Sequence, residues 1–280
     1  MSTTGRLRSY AGRVRRFVRR VGDRPAGARN AAGSAPATPT PATAGTTIAD
    51  PVRLGPVRTR LRPEIEQVIE AVRAEHLSYI RQPGLRTLAK MVINLDRKGI
   101  AGLIVETGTA LGGSAIVMAT AKSPDRAMKI YDVFGMIPPP SDRDGEDVIR
   151  RYETIVSGAS EGLGGEQYYG YRSDVLGEVV ASFARHGVPT KENNVELVQG
   201  LFEETLDLHE PVALAHLDGD WYESTMTCLT RITPLLSRGG RLVIDDYEAW
   251  SGCRTAVDEY FAGRTGFRFE RRGKLHIVRL

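Results

Sequence analysis

Apolar residues recur along this chain in two rhythms, and the switches between them outline its elements. Ile65, Val68, Ile69, Val72, Leu77 and Ile80 fall on one face of a helix that Pro63 opens and Pro83-Gly84 is expected to end. A second helix is predicted from about Leu85 to Leu95, with Leu88, Met91, Val92 and Leu95 inward. Short apolar runs then alternate with helical stretches. Leu103-Ile104-Val105-Glu106, Met128-Lys129-Ile130-Tyr131-Asp132, Val195 to Gly200, Val212 to Leu217 and Arg241 to Ile244 each end in, or run directly into, glycine or an acid. Runs of this length, bounded in this way, read as buried strands of a parallel sheet. Helices are expected at Ile116–Ala119, around Val179–Phe183, from Leu201, after Trp221, and over Cys253–Phe261. Phe267–Glu270 and Lys274–Arg279 close the pattern as an antiparallel hairpin. The expectation is an α/β fold with helices on both faces of a mostly parallel, seven-stranded sheet.

Two segments break the rhythm. Residues 5–22 place Leu7, Val14, Phe17, Val18 and Val21 at helical spacing among arginines, a basic amphipathic pattern. It suits a helix lying on an anionic membrane surface, a solvated tail or a transit peptide. Residues 23–60, rich in Ala, Pro and Thr, are expected to be a disordered linker, leaving 61–280 as the folded domain. Residues 136–176 form an insertion with Pro138-Pro139-Pro140 and Tyr168-Tyr169-Gly170-Tyr171, either a functional cover or an extension packed by its own aromatics.

Charge changes the picture at one point. The formal net charge is +4, but residues 1–30 hold nine Arg and one Asp, so the remainder carries −4. The basic balance belongs to the tail, and no nucleic-acid partner is expected of the domain. Cys228 and Cys253 form no metal or disulfide pattern, which suits a cytoplasmic location, membrane-peripheral if residues 5–22 bind a surface.

The chemistry gathers at strand ends. His216-Leu217-Asp218-Gly219-Asp220 and Ile244-Asp245-Asp246-Tyr247 bring aspartates to the carboxyl ends of two strands, where open α/β sheets build their sites. Asp218, Asp245 and Asp246 would converge with no Lys or Arg nearby in sequence, and a hard cation such as Mg²⁺ or Mn²⁺ would relieve their repulsion. Asp220 is a second candidate or a helix cap. Glu106-Thr107-Gly108, followed by Gly112-Gly113-Ser114, is a strand–turn–helix cofactor setting. Its acidic residue at the strand end disfavours a pyrophosphate and suits the amine or sulfonium of S-adenosylmethionine. Asp132, 26 residues on, can accept from ribose hydroxyls.

Together, Val105-Glu106-Thr107-Gly108, Asp132-Val133-Phe134-Gly135, Gly200-Leu201-Phe202-Glu203-Glu204-Thr205-Leu206, Asp218-Gly219-Asp220-Trp221-Tyr222-Glu223-Ser224-Thr225 and Asp245-Asp246-Tyr247 resemble the macrocin O-methyltransferase family over about residues 85–280. The resemblance implies a class I, Rossmann-like methyltransferase fold. It implies S-adenosylmethionine- and Mg²⁺-dependent methylation of a sugar hydroxyl on a natural product or glycolipid. It implies metal ligation by Asp218, Asp245 and Asp246, with Asp218 the candidate base. Candidate cofactor contacts are Glu106, Thr107, Gly108, Gly112, Ser114, Asp132, Phe134, Gly200, Phe202 and Asp218. A phenolic acceptor, a nicotinamide oxidoreductase and a non-enzymatic scaffold are the competing readings. Homo-oligomer formation is left open.

Overall fold

The computed structural model describes Ile48 and residues 50–280. The expected basic helix at 5–22 and most of the expected linker lie outside the described residues. The described chain forms β1 (Val52–Arg53), α1 (Pro63–Ala74), α2 (Gln82–Arg97), β2 (Leu103–Thr107), α3 (Gly113–Ala121), β3 (Met128–Asp132), α4 (Glu146–Val156) and α5 (Val175–Arg185). These are followed by β4 (Val195–Gln199), α6 (Phe202–Thr205), β5 (Val212–Leu217), α7 (Tyr222–Ile232), β6 (Leu236–Ile244), α8 (Ser251–Phe261), β7 (Phe267–Arg272) and β8 (Lys274–Arg279).

One sheet orders these strands β1-β7-β8-β6-β5-β2-β3-β4. From β6 to β4 all pairings are parallel, and β8 runs antiparallel to both β6 and β7. The central strands β2 and β5 are buried at every position, which is why they read as continuous apolar runs. Helices α1, α2, α3 and α5 supply the apolar cluster on one face, among them Ile69, Leu88, Ile116 and Phe183. Helices α7 and α8 supply the other, with Cys228, Leu229, Val257 and Phe261. Each fully buried side chain of this size contributes about 1.5–3 kcal/mol relative to exposure.

Three expectations are corrected. The first helix does not run to Ile80. It stops at Ala74, and His76 takes a positive φ of 55°. Pro83 therefore opens α2 instead of closing α1, because a residue without an N–H suits a first helical turn. Leu77 and Ile80 still point into the core from the connecting turn. The sheet has an eighth strand, since Val52–Arg53 pairs in parallel with β7. The described part of the linker is thus ordered from Val52 on: Val57 packs on the core, and the Thr59 hydroxyl donates to Asn94 Oδ1 at 2.6 Å. Two alternating residues are too few to register as a strand pattern.

The insertion at 136–176 contains α4 and two single 3₁₀ turns, Leu163–Gly165 and Tyr169–Tyr171. Its tyrosines pack on one another, Tyr168 against Tyr169 at 4.5 Å and against Tyr171 at 5.1 Å between ring centroids. Among the described residues no helix is long and apolar enough to cross a membrane.

Candidate active site

Strand register assembles the site. Glu106 on β2 lies opposite His216 on β5. On the other side β5 pairs Leu217 with Ile244, so Asp218 and Asp245 follow their strands side by side. The antiparallel β6–β8 register pairs Ile244 with Leu275 and so presents Lys274 to Asp245.

The result is a row of alternating charge across four strands. His216 Nδ1 bonds Glu106 Oε1 at 2.8 Å, and its Nε2 meets Asp245 Oδ1 at 3.4 Å. Lys274 Nζ donates to Asp245 Oδ2 at 2.6 Å and to its carbonyl at 2.8 Å. Glu106 and His216 are wholly buried. Burial alone would lower the His216 pKa, but the bonds to Asp245 and Glu106 raise it to about 9. For Asp245 burial works upward, yet His216 and Lys274 hold it below the usual carboxylate range. No Lys or Arg stands near Asp245 in sequence, yet β8 brings Lys274 to it. Lys274 is distant in sequence and adjacent in the sheet.

Beside that row stands a cluster without such compensation. Asp218, Asp220 and Asp246 each bring an oxygen within 4.8 Å of the others. Burial first, and neighbouring carboxylates second, push Asp218 and Asp220 well upward and Asp246 to about 6. Asp220 adopts φ 56°, donates its N–H to Asp246 Oδ2 at 3.2 Å, and accepts from Trp250 Nε1 at 3.0 Å through Oδ1. The donor set is all oxygen, with Asp246 buried and Asp218 and Asp220 half-buried, which suits a hard divalent cation. His216, Asp218 and Asp245 also lie within 4.8 Å of one another. Both His216 ring nitrogens already face carboxylates, Glu106 and Asp245, so His216 belongs to the charge row.

These residues open on a cleft of about 1070 Å³, lined by Gly108, Asp132, Asp218, Asp220, Asp245 and Asp246 among others. Tyr168, Tyr169 and Arg151 of the insertion also line it, so the insertion borders the site. A narrower recess continues from Gly108, Asp132 and Asp218 past Ile137, Pro138, Leu201 and Phe202. Gly108 has φ +81°, and a Cβ there would meet the Asp218 carbonyl oxygen at 1.9 Å. The two strand-end turns therefore touch only because this residue is glycine. Asp132 Oδ2 accepts the amides of Thr109 and Ala110 at 2.7 and 3.0 Å, and its Oδ1 accepts that of Phe134 at 2.7 Å.

Of the residues singled out from sequence, Gly108, Asp132, Phe202, Asp218, Asp245 and Asp246 reach these cavities. Glu106, Thr107, Gly112, Ser114, Phe134 and Gly200 do not line either one. Glu106 is occupied by His216 and by the Thr109 hydroxyl at 2.7 Å. The Thr107 carbonyl accepts the Asp218 amide at 2.9 Å. Gly112 caps α3 in a left-handed conformation, Ser114 is buried in that helix, and the Gly200 amide bonds the Asp132 carbonyl at 2.9 Å. Sequence reasoning missed His216, Lys274, Trp221 and Trp250. A histidine inside an otherwise apolar strand was the available signal for the first.

Comparison with known proteins agrees with this arrangement. The Mycinamicin III 3''-O-methyltransferase of Micromonospora griseorubida is 30% identical over 186 residues, 63% of this chain and 66% of that protein. A tetracenomycin-C 4'-O-methyltransferase of Streptomyces olivaceus, named for a dimethoxy-rhamnosyl substrate, is 35% identical over 175 residues, covering 60% of each. The chain thus spans less than two thirds of the length of either relative. The solved structure of the O-methyltransferase NovP superposes with a TM-score of 0.59 at 26% identity, covering 75% of this chain and 88% of that one. The family described as Macrocin-O-methyltransferase (TylF) matches residues 75–265. With the parallel sheet, the terminal hairpin and the aspartates at the strand ends, that match places the chain in the macrocin O-methyltransferase family, on the class I methyltransferase fold.

Proposed function

We propose that the protein transfers a methyl group from S-adenosylmethionine to a hydroxyl of a sugar, on a glycosylated natural product or glycolipid, with help from a divalent cation. One observation carries this reading: Asp218, Asp220 and Asp246 converge on a cleft that also meets the glycine turn, and among the described residues none of the three is ion-paired with a cation. The family supports it, as do the relatives named for methylation at 3'' and 4' oxygens.

In the recess, Phe202 and Leu201 offer an apolar wall, and Gly108 leaves the backbone open to close approach. Asp132 uses three of its roughly four lone-pair sites on backbone amides, leaving capacity for one ribose hydroxyl. S-Adenosylmethionine bound there supplies an electrophilic methyl carbon. Asp218 and Asp246 would hold a divalent cation such as Mg²⁺ or Mn²⁺, which would lower the pKa of an acceptor hydroxyl. Asp245 keeps lone-pair sites beyond those facing Lys274 and His216, but its charge is already balanced by them.

In the transfer the acceptor O–H and donor S–CH₃ bonds break, an O–CH₃ bond forms, and a thioether leaves. The proton passes to a carboxylate on the chain. Asp218 is the base implied by resemblance. Asp220 suits the role better, because among the described residues none donates to its Oδ2 while Oδ1 is held by Trp250. Alignment of donor and acceptor in the cleft supplies much of the remaining rate.

Calorimetry with S-adenosylmethionine and with NADH tests the donor. Radiolabelled methyl incorporation into glycosides, with and without EDTA, tests the transfer. Binding of NADH in place of S-adenosylmethionine would overturn the reading.

A further inference from the structure

The cleft has a second electrostatic character that methyl transfer to a neutral glycoside does not use. Its floor is acidic, but its outer wall is basic. Arg81, Lys90 and Arg151 all line it. No carboxylate among the described residues pairs with any of the three, although Arg86 pairs with Glu66 at 2.7 Å and Lys274 with Asp245. The first turn of α2, which follows Arg81 directly, contributes no acidic side chain. Arg151 lies 5.8 Å from the Tyr168 ring centroid and is half-buried, so its charge has already lost part of its hydration. Such a cation gains more from a bound anion than a fully solvated one does.

The same cleft also carries an aromatic face. Tyr79 is 45% exposed, edge-on to Tyr169 at 6.4 Å, and lines the same cleft. Unpaired cations around an exposed ring are the chemistry that holds a phosphate next to a flat or apolar group.

We propose that the acceptor is a sugar carried on a phosphate or diphosphate. Its hydroxyl reaches the aspartate floor, and its phosphate is held by Arg81, Lys90 and Arg151. This rests on the cleft being the acceptor site of a methyltransferase. The phosphate ester can belong to a nucleotide or to a lipid carrier, and the exposed Tyr79 ring offers a base a surface to stack on.

The test uses the full chain with S-adenosylmethionine and Mg²⁺ present. UDP-glucose, a polyprenyl-phosphate glucose in detergent micelles, and methyl glucoside are titrated separately. The proposal expects at least one phosphate-linked sugar to bind roughly tenfold or more tighter than methyl glucoside, weakening as salt rises. UDP-glucose binding alone assigns the nucleotide source, and binding of the micellar sugar alone the lipid source. Arg81→Ala with Lys90→Ala is expected to weaken the phosphate-linked sugar about tenfold, with methyl glucoside unchanged. Both residues are on the surface of the cleft, and an unchanged melting temperature checks the fold. Equal binding of all three sugars, or no response to the double substitution, overturns the proposal. Binding of S-adenosylmethionine alone, measured in the same preparations, reports separately on the methyltransferase reading.

Discussion

Two groups of buried and half-buried carboxylates lie side by side at the strand ends and are treated in opposite ways. In the row Glu106–His216–Asp245–Lys274 each acid faces a cation, and the pKa values of His216 and Asp245 move toward their charged forms. In the cluster Asp218–Asp220–Asp246 the acids face one another, and their pKa values move toward the neutral form. The first arrangement fixes strand ends. The second stores repulsion that a ligand can relieve. A count of acidic residues would have merged them, whereas their partners separate scaffold from site.

The sharpest way to break that distinction is Asp220→Asn. Turnover is expected to fall by roughly 10²–10⁴ with binding of S-adenosylmethionine retained, measured by methyl incorporation and calorimetry. A variant with full activity would remove Asp220 from the chemistry. Next in size is His216→Leu, which leaves Glu106 buried and unpaired. Urea unfolding is expected to show a loss of about 3–5 kcal/mol. A loss under about 1 kcal/mol would mean the row contributes little as scaffold.

A cation supplies the third comparison. Mg²⁺ at a hundred times its dissociation constant is expected to stabilise the folded chain by about 2.7 kcal/mol, read as a rise in melting temperature. Asp218→Asn should abolish that rise, and His216→Leu should keep it. An equal rise in wild type and Asp218→Asn would place the cation elsewhere.

The smallest effect concerns His276, the other buried histidine of the sheet. Burial first, then the Arg241 charge, lowers its pKa to about 3. A histidine lowered in the folded state and near 6.5 when unfolded gains its proton on unfolding. Stability is therefore full above about pH 6.5 and declines as pH falls toward 3, by at most about 1.4 kcal/mol per pH unit. His276→Gln should flatten that part of the stability–pH curve. An unchanged slope would show that other groups set it.

Much of this was legible in the sequence, for a physical reason. Strands buried on both faces must be apolar throughout, so Asp218, Asp245 and Asp246 stand out where those runs stop. Gly108 stands out because a turn follows its strand directly. What could not be read is what depends on register. Lys274 is 29 residues from Asp245, and only the antiparallel pairing of β8 joins them. Glu106 illustrates the converse. Its place at a strand end suggested a cofactor contact, but His216, 110 residues away, occupies it. Pro83 was ambiguous in itself, since proline both ends and begins helices. Arg81 and Lys90 carry no periodic signal, and only the shape of the cleft groups them with Arg151.

The position of β8 between β6 and β7 has a consequence for biosynthesis. It is the last of these strands to leave the ribosome, yet it fills an interior place and carries the cation that neutralises Asp245. A chain lacking the residues from 274 on would hold the parallel strands with Asp245 facing His216 alone. The row Glu106–His216–Asp245–Lys274 is thereby completed only when β8 has paired with β6.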